Sequence, residues 1–320
     1  MILLAIVIAL LLEQVRPLPM WHPVAQQLHS WTRWVARNVD TGGRHHAWLA
    51  WSLAALAPAL GVAAIYTLVQ WLGGWPLALL WSAGVLYVTF GLRRFSHHFA
   101  GLRQALEAGD DELAQRLLAQ WQQVPAAQLA RTEIPRLALE QSVLRSHHQV
   151  FGVLAWFCIG AMIGLGPAGA VLYRRTNRVA REWQHQSSMA ARRVSPMLSF
   201  VSALAWYGID WVPVRMTALC IAIVGSFEDA VEAWRRYAHR FANPNEGVIL
   251  STTAGALGIR LGTPWPPSSA ATSAAGAETE SLPGAPPTVS DFSRLMGLVW
   301  RILALWLLLL VLLTLAHVLG

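Results

Sequence analysis

Residues 243–262 read NPNEGVILSTTAGALGIRLG, a run too rich in glycine for an ordinary core helix and too apolar for an ordinary loop. Asn243, Pro244 and Asn245 stop whatever precedes them, because proline lacks an amide donor and biases the residue before it away from helical dihedrals. A turn is expected to follow. Gly247, Gly255, Gly258 and Gly262 leave four places where a backbone or a ligand can approach closely, and Arg260 is the only formal charge after Glu246. Two readings stay open: a small-residue packing face between membrane helices, and a cradle for a ligand.

The rest of the chain says which environment this stretch belongs to. It has 320 residues, 55% of them hydrophobic and 13% charged, with a mean hydropathy of +0.42. That composition is expected of an all-α, polytopic integral membrane protein, with the lipid bilayer as its first partner. Seventeen tryptophans suit the headgroup level, where an indole keeps one edge apolar and the other wet. All 24 basic residues are arginine, so Schiff-base chemistry, a phosphate-loop lysine and a lysine general base are excluded. In a membrane protein the net charge of +7 reads as loop charge and anion recognition, not nucleic-acid binding. Cys158 and Cys220 lie in apolar runs and read as buried small hydrophobes.

Along the chain, MILLAIVIALLL lacks the basic start and small-residue cleavage site of a removed signal peptide. Twelve helical residues reach about 18 Å, short of the ~30 Å hydrocarbon core. This segment therefore extends through Glu13 to Leu18 or packs partly embedded. Residues 16–46 read as an interfacial helix, with Trp21, Leu28, Trp31 and Val35 at helical spacing. Spans from about Ala47 to Trp71 and Trp75 to Leu92 form a hairpin turned at Gly73 and Gly74, with a kink expected near Pro58.

Residues 93–149 form an aqueous insert. One helix there is capped by Asp110, and another starts near Thr132 with Pro135 in its first turn. The next apolar run, Val150 to Tyr173, is interrupted by Gly164, Gly166 and Pro167. Such a break is tolerated only where protein or a water-filled cavity surrounds it. It leaves open a re-entrant path, which would put the arginine-rich loops before and after it on one side. Pro196 to Phe227 carries Asp210 and Arg215 mid-span, each a candidate functional charge unless two short segments meet at the surface there. Ser226 and Asp229 make a capping-box pattern. Residues 263–290 read as a disordered linker, and 291–320 as a terminal transmembrane helix, beyond a membrane domain at 1–262. About five or six membrane segments are expected.

Histidines 45 and 46, 97 and 98, and 147 and 148 form pairs at the aqueous ends of apolar runs. Neighbours on a helix point about 100° apart, so each pair offers at most one metal ligand, and no metal site is expected. No GxSxG nucleophile motif or phosphate-binding GxxxxGK loop is present. Arginine, asparagine and backbone amide remain, groups that orient anions and stabilise charge on oxygen. Broken helices and intramembrane charges also suit a transporter, although no inverted repeat is visible.

Several segments, in order, resemble the CobD/CbiB family of cobalamin-biosynthesis membrane proteins. His22, Pro23 and Val24 resemble the family's HPV; Trp156, closing VFGVLAW, its LFW; GPAGAVLYRRTN (166–177) its GPAGALAYKAVN; WVPVRMTAL (211–219) its WIPARLTAL. The stretch at 245–262 resembles its PNAG and AGALGVRLGG. The resemblance implies amide ligation of aminopropanol, or its phosphate ester, to a propionate of adenosylcobyric acid. A corrinoid is then the substrate and no cofactor is covalently bound, with nucleotide and magnesium requirements left open. It implies catalytic roles for Glu140, His148, Asn177 and Arg215, and substrate-binding roles for His22, Arg174, Asn245, Gly247, Gly255, Gly258 and Arg260. Where the family carries acids or an amide, this chain has Leu144, Arg145, His148, Ala180 and Leu250. The segment FGVLAWFCIGAMIGLGPAGAVLYR also resembles AmpE, a related inner-membrane signalling protein, which implies the alternative of a catalytically degenerate paralogue. Either resemblance implies a multi-pass protein of the bacterial inner membrane.

Overall fold

The computed structural model describes residues 1–15, 23–122, 133–188, 194–262 and 284–319. Its helices, in chain order, are α1 (Ile2–Val15), α2 (Pro23–Val39), α3 (Arg44–Trp51), α4 (Ala57–Thr89), α5 (Leu92–Glu107), α6 (Asp111–Gln122) and α7 (Ile134–Ser146). They continue as α8 (Gly152–Met162), α9 (Ala168–Ser188), α10 (Pro196–Val224), α11 (Phe227–Tyr237), α12 (Pro244–Leu257) and α13 (Ser290–Leu319). Among the described residues no strand forms, and the one isolated β-bridge joins Ile259 to Ala285. The protein is thus an all-helical membrane protein. Three helical stretches, Arg44–Thr89, Pro196–Val224 and Ser290–Ala316, are long and apolar enough to cross a bilayer. The chain divides into two compact units, Met1–Arg93 with His148–Pro213, and Arg94–His147 with Val214–Gly320.

In the first unit, 46 helical residues from Arg44 to Thr89 would reach about 69 Å if straight. Gly74, at φ 66° and ψ −162°, breaks the run at the expected turn. Pro58 and Val62 line the same cavity as Leu80 and Thr89, so the two limbs fold back side by side. The kink expected at Pro58 is instead a π-helical turn over Ser52–Leu56. Ala57 donates to Ser52 there, and proline has no N–H to give Ala54, so two carbonyls need other donors. The Trp31 indole takes the Leu53 carbonyl at 2.9 Å, and the Arg175 guanidinium takes that of Ala54 at 2.8 and 3.2 Å. Val35, Ala50, Val179, Trp183 and Leu198 form a core tying α2, α3, α9 and α10 together.

The break at Gly164 to Pro167 reverses the chain. Gly164 and Gly166 take φ values of 81° and 57°, open to glycine at little cost. A side chain at Gly169 would strike the Trp156 carbonyl and the Gly160 backbone, and one at Gly152 would strike the Tyr173 ring. These pairings make α8 and α9 an antiparallel hairpin. The eleven residues of α8 follow directly on a π-helical turn over His147–Phe151.

In the second unit, Asp110 caps α6 by accepting from Leu113 N at 2.9 Å, and Pro135 starts α7, both as the sequence predicts. The stretch at 243–262 departs from its reading as a turn: α12 is a buried helix, capped by Asn243, whose side chain accepts from Asn245 N. Gly258, at φ 66°, ends it in the left-handed conformation. Arg294 Nη2 donates to the Leu257 carbonyl at 2.7 Å, adding a cation to that C-terminus. Ser226 does precede α11, but its hydroxyl donates to Asp229 Oδ2 at 2.5 Å rather than capping the backbone. Residues 263–283 of the expected linker lie outside the described residues; beyond them, Ala285 N donates to the Gly258 carbonyl at 3.0 Å.

Candidate functional site

The α8–α9 hairpin brings its two open ends together, and the polar side chains gathered there in the first unit form the best-defined candidate site. Tyr173, fully buried, donates its hydroxyl to Asp210 Oδ1 at 2.7 Å. Asp210 is itself buried, and its Oδ2 lies 3.8 Å from His148 Nε2. Arg181 Nη2 approaches His148 Nδ1 at 3.1 Å. A guanidinium can only donate, so Nδ1 accepts, and the proton of a neutral His148 sits on Nε2, facing Asp210. Arg174 Nη1 reaches the His148 carbonyl at 3.5 Å. The Trp206 ring covers both, with centroids 5.3 Å from His148 and 5.1 Å from Tyr173. A buried acid facing a histidine that two arginines reach, flanked by aromatic rings, combines a proton acceptor with fixed positive charge in a water-poor setting.

Asp210 is held at this place by a proline. Pro213 lies inside α10 and cannot donate to the carbonyl four residues back, that of Ile209. Trp156 Nε1 donates to Ile209 O at 2.9 Å instead. The residue beside Asp210 is thus fixed by the indole of α8.

The expected site residues fall into two groups. His148, Arg174 and Asn177 belong to the first unit; Asn177 is buried one turn beyond Tyr173, and its side-chain amide nitrogen makes no hydrogen bond. Glu140, Arg215, Asn245 and Arg260 belong to the second. There Arg215 Nη1 donates to Asn245 Oδ1 at 3.3 Å. Glu140 Oε1 accepts from Gly262 N and from Arg136 Nη1, each at 2.7 Å. Burial pushes the Glu140 carboxyl above the usual 4.5, outweighing the Arg136 charge and the Gly262 amide, which pull it down. Arg260 is exposed, with Nη2 3.4 Å from the Gly284 carbonyl.

The glycines of the opening stretch meet protein. A side chain at Gly247 would strike the Ala238 carbonyl and Phe241, one at Gly255 the Asp229 carbonyl, and one at Gly262 the Phe241 ring. Gly258 faces open space and serves the helix end. His22 lies outside the described residues. Leu144, Ala180 and Leu250, at positions where the resemblance places acids, are buried. Sequence reasoning flagged Asp210 only as a charge in an apolar span, and it passed over Tyr173 and Arg181. Arg181 stands four residues after Asn177, one helical turn, which was the available signal.

The fold and this buried polar cluster define a helical membrane protein whose centre of charge is built where helices break. Its particular kinship is settled by comparison: residues 2–299 match the family model described as CobD/Cbib protein, and the chain belongs to the CobD/CbiB family of cobalamin-biosynthesis proteins. It is 30% identical over 315 residues to the cobalamin biosynthesis protein CobD of Chromobacterium violaceum, covering 93% of this chain and 92% of that one. It is 28% identical over 281 residues to that of Stutzerimonas stutzeri, covering 84% and 82%. To that of Mycobacterium tuberculosis it is 31% identical over 198 residues, 59% and 58% of the two chains. No solved structure matches.

Proposed function

We propose that this chain joins aminopropanol, or its phosphate ester, to a propionate carboxyl of adenosylcobyric acid through an amide bond, as a multi-pass protein of the bacterial inner membrane. The observation that carries this reading is Asp210, a buried carboxylate bonded to Tyr173 and facing His148. It supplies a buried acid in the unit where His148 and Ala180 stand at positions at which the resemblance places acids. In forming the amide, nitrogen attacks the carboxyl carbon and the amine loses a proton, negative charge builds on one carboxyl oxygen, and the bond from carbon to the other oxygen breaks, that oxygen leaving as phosphate once a nucleoside triphosphate has activated the carboxyl. Asp210 accepts that proton, and Tyr173 holds its other oxygen in place. In this reading Arg174 and Arg181, both in reach of His148, supply positive charge for the oxyanion and the anionic substrates. His148 then positions Asp210 and Arg181, because its Nδ1 lone pair is already taken by Arg181.

That occupied lone pair, with Leu144, Ala180 and Leu250 buried in place of acids, is also the observation favouring the second reading, a paralogue without activity that signals as AmpE-like proteins do. One experiment separates them. The chain is expressed in a strain lacking its own cobinamide synthase and supplied with cobyric acid. Cobalamin synthesis restored by the wild type and abolished by Asp210→Asn supports the enzyme. No restoration despite stable membrane expression overturns it and leaves the signalling reading.

A further inference from the structure

A cavity of about 410 Å³ lies in the first unit, and of its lining residues the reaction proposed above uses Arg174 alone. Its walls are the two limbs of the α4 hairpin, with Pro58 and Val62 on one side and Leu80, Trp81, Val85 and Thr89 on the other. From Leu80 to Thr89 the helix rises about 14 Å, so the cavity is deep for its volume. One face of α9 closes it with Val171, Arg174, Arg175 and Arg178, residues spaced three and four apart. No acid is among its lining residues.

Arg175 is committed to structure: it bonds Ala54 O and Thr32 Oγ1, and burial, then neighbouring Arg178, draw its pKa down to about 10. Arg174 and Arg178 give the cavity a cationic end beside Val24 and Leu28 of the amphipathic α2. Trp81 adds an indole N–H that is buried and makes no hydrogen bond. The volume sits low in the range of ~300–1,000 Å³ usual for small-ligand pockets. Its apolar walls would also leave the many carboxamides of a corrinoid unsatisfied. The surroundings instead match a molecule with one anionic group on a long apolar body.

We infer that this cavity binds an anionic phospholipid of the surrounding bilayer, with one acyl chain between the limbs of α4 and the phosphate held by Arg174 and Arg178. The walls belong to a helix apolar enough to cross a membrane, and the arginine end lies beside α2, whose sequence reads as an interfacial helix. This assignment rests on the cavity alone, so failure of the amide-ligation reading leaves it standing.

The test uses the full chain purified in mild detergent, with retained lipid read by native mass spectrometry and thermal stability read on adding phosphatidylglycerol, phosphatidylcholine or inorganic phosphate. Gly84 lines the cavity and a Cβ there meets nothing within 4 Å, so Gly84→Leu adds a branched apolar side chain to the cavity wall. Gly61, equally open but outside the cavity, supplies the control Gly61→Leu. The wild type and Gly61→Leu should retain anionic phospholipid and be stabilised by phosphatidylglycerol above phosphatidylcholine. Gly84→Leu should lose the retained lipid. Arg174→Gln with Arg178→Gln should weaken phosphatidylglycerol binding roughly tenfold or more while leaving phosphatidylcholine unchanged. Equal retention by Gly84→Leu and the wild type, equal response to both lipids, or full stabilisation by inorganic phosphate alone would each overturn the assignment.

Discussion

The Trp156 indole donates to the carbonyl of Ile209 at 2.9 Å, the carbonyl that Pro213 leaves without a helical donor. The Arg175 guanidinium does the same for Ala54, stranded by Pro58. Both breaks are made tolerable in an apolar setting by a donor from another helix. The first of them sits one residue from Asp210.

Replacing Trp156 with Phe should therefore cost about 1–3 kcal/mol, the penalty for a buried carbonyl left unsatisfied. Pro213→Ala restores an N–H to α10, so the Trp156→Phe penalty should be much smaller in that background. Unfolding of the four proteins in a double-mutant cycle measures this coupling. Equal penalties in both backgrounds would show that the indole acts through packing alone.

Gly152 lies under Tyr173, and a methyl group there occupies the place of the Tyr173 ring. Gly152→Ala should cost about 1–3 kcal/mol through overpacking. It should also separate the Tyr173 hydroxyl from Asp210. In the cobyric acid complementation assay, Gly152→Ala and Tyr173→Phe should then lower cobalamin production alike. Full activity of Tyr173→Phe would show that the hydroxyl does not serve the carboxylate.

In the second unit, Gly255→Ala brings a methyl group against the Asp229 carbonyl and the Ala230 backbone, neither of which can move without shifting α11. A loss of about 1–3 kcal/mol is expected. Gly297 of α13 faces open space, so Gly297→Ala should be neutral or gain up to ~1 kcal/mol. Thermal unfolding of the two variants side by side checks the contrast.

Glu140 gives the unit a pH dependence of known sign. Burial raises its folded-state pKa above 4.5, so between these values the folded form binds more protons than the unfolded one. Stability contributed by this group is fully present below pH 4.5 and falls as pH rises through the folded pKa. Glu140→Gln keeps an oxygen for Gly262 N and does not titrate. Its unfolding midpoint should vary less with pH across that window than the wild type's, and an identical pH profile would exclude Glu140 as the source.

Much of the fold was legible because its signals are local. Gly74 turns the hairpin, Asp110 caps its helix, and Gly164 to Pro167 break a helix, each through the dihedrals and donors of a few adjacent residues. In the opening stretch the turn expected after Asn243 to Asn245 does not form, because α12 starts there as a buried helix, and its glycines make the close packing that was one of their two readings. Glycine weakens a helix by only ~1 kcal/mol, and close packing against α11 makes its lack of a side chain a requirement. The site was legible in part. Arg174 and Asn177 stood in a recognisable motif that also holds Tyr173, whereas the contacts of Tyr173 and Arg181 with Asp210 and His148 join residues more than thirty positions apart.

The sequence by itself determined the membrane class, the places where helices begin and break, and, through short motifs in a fixed order, the family. Tertiary structure alone decided which side chain answers each stranded carbonyl, which backbone each glycine meets, and that Asp210, His148, Tyr173 and Arg181 share one buried cluster. The reason is geometric. Composition and local donors act within a few residues, but a side chain turns about 100° per position on a helix, and its partner is fixed only when helix faces meet.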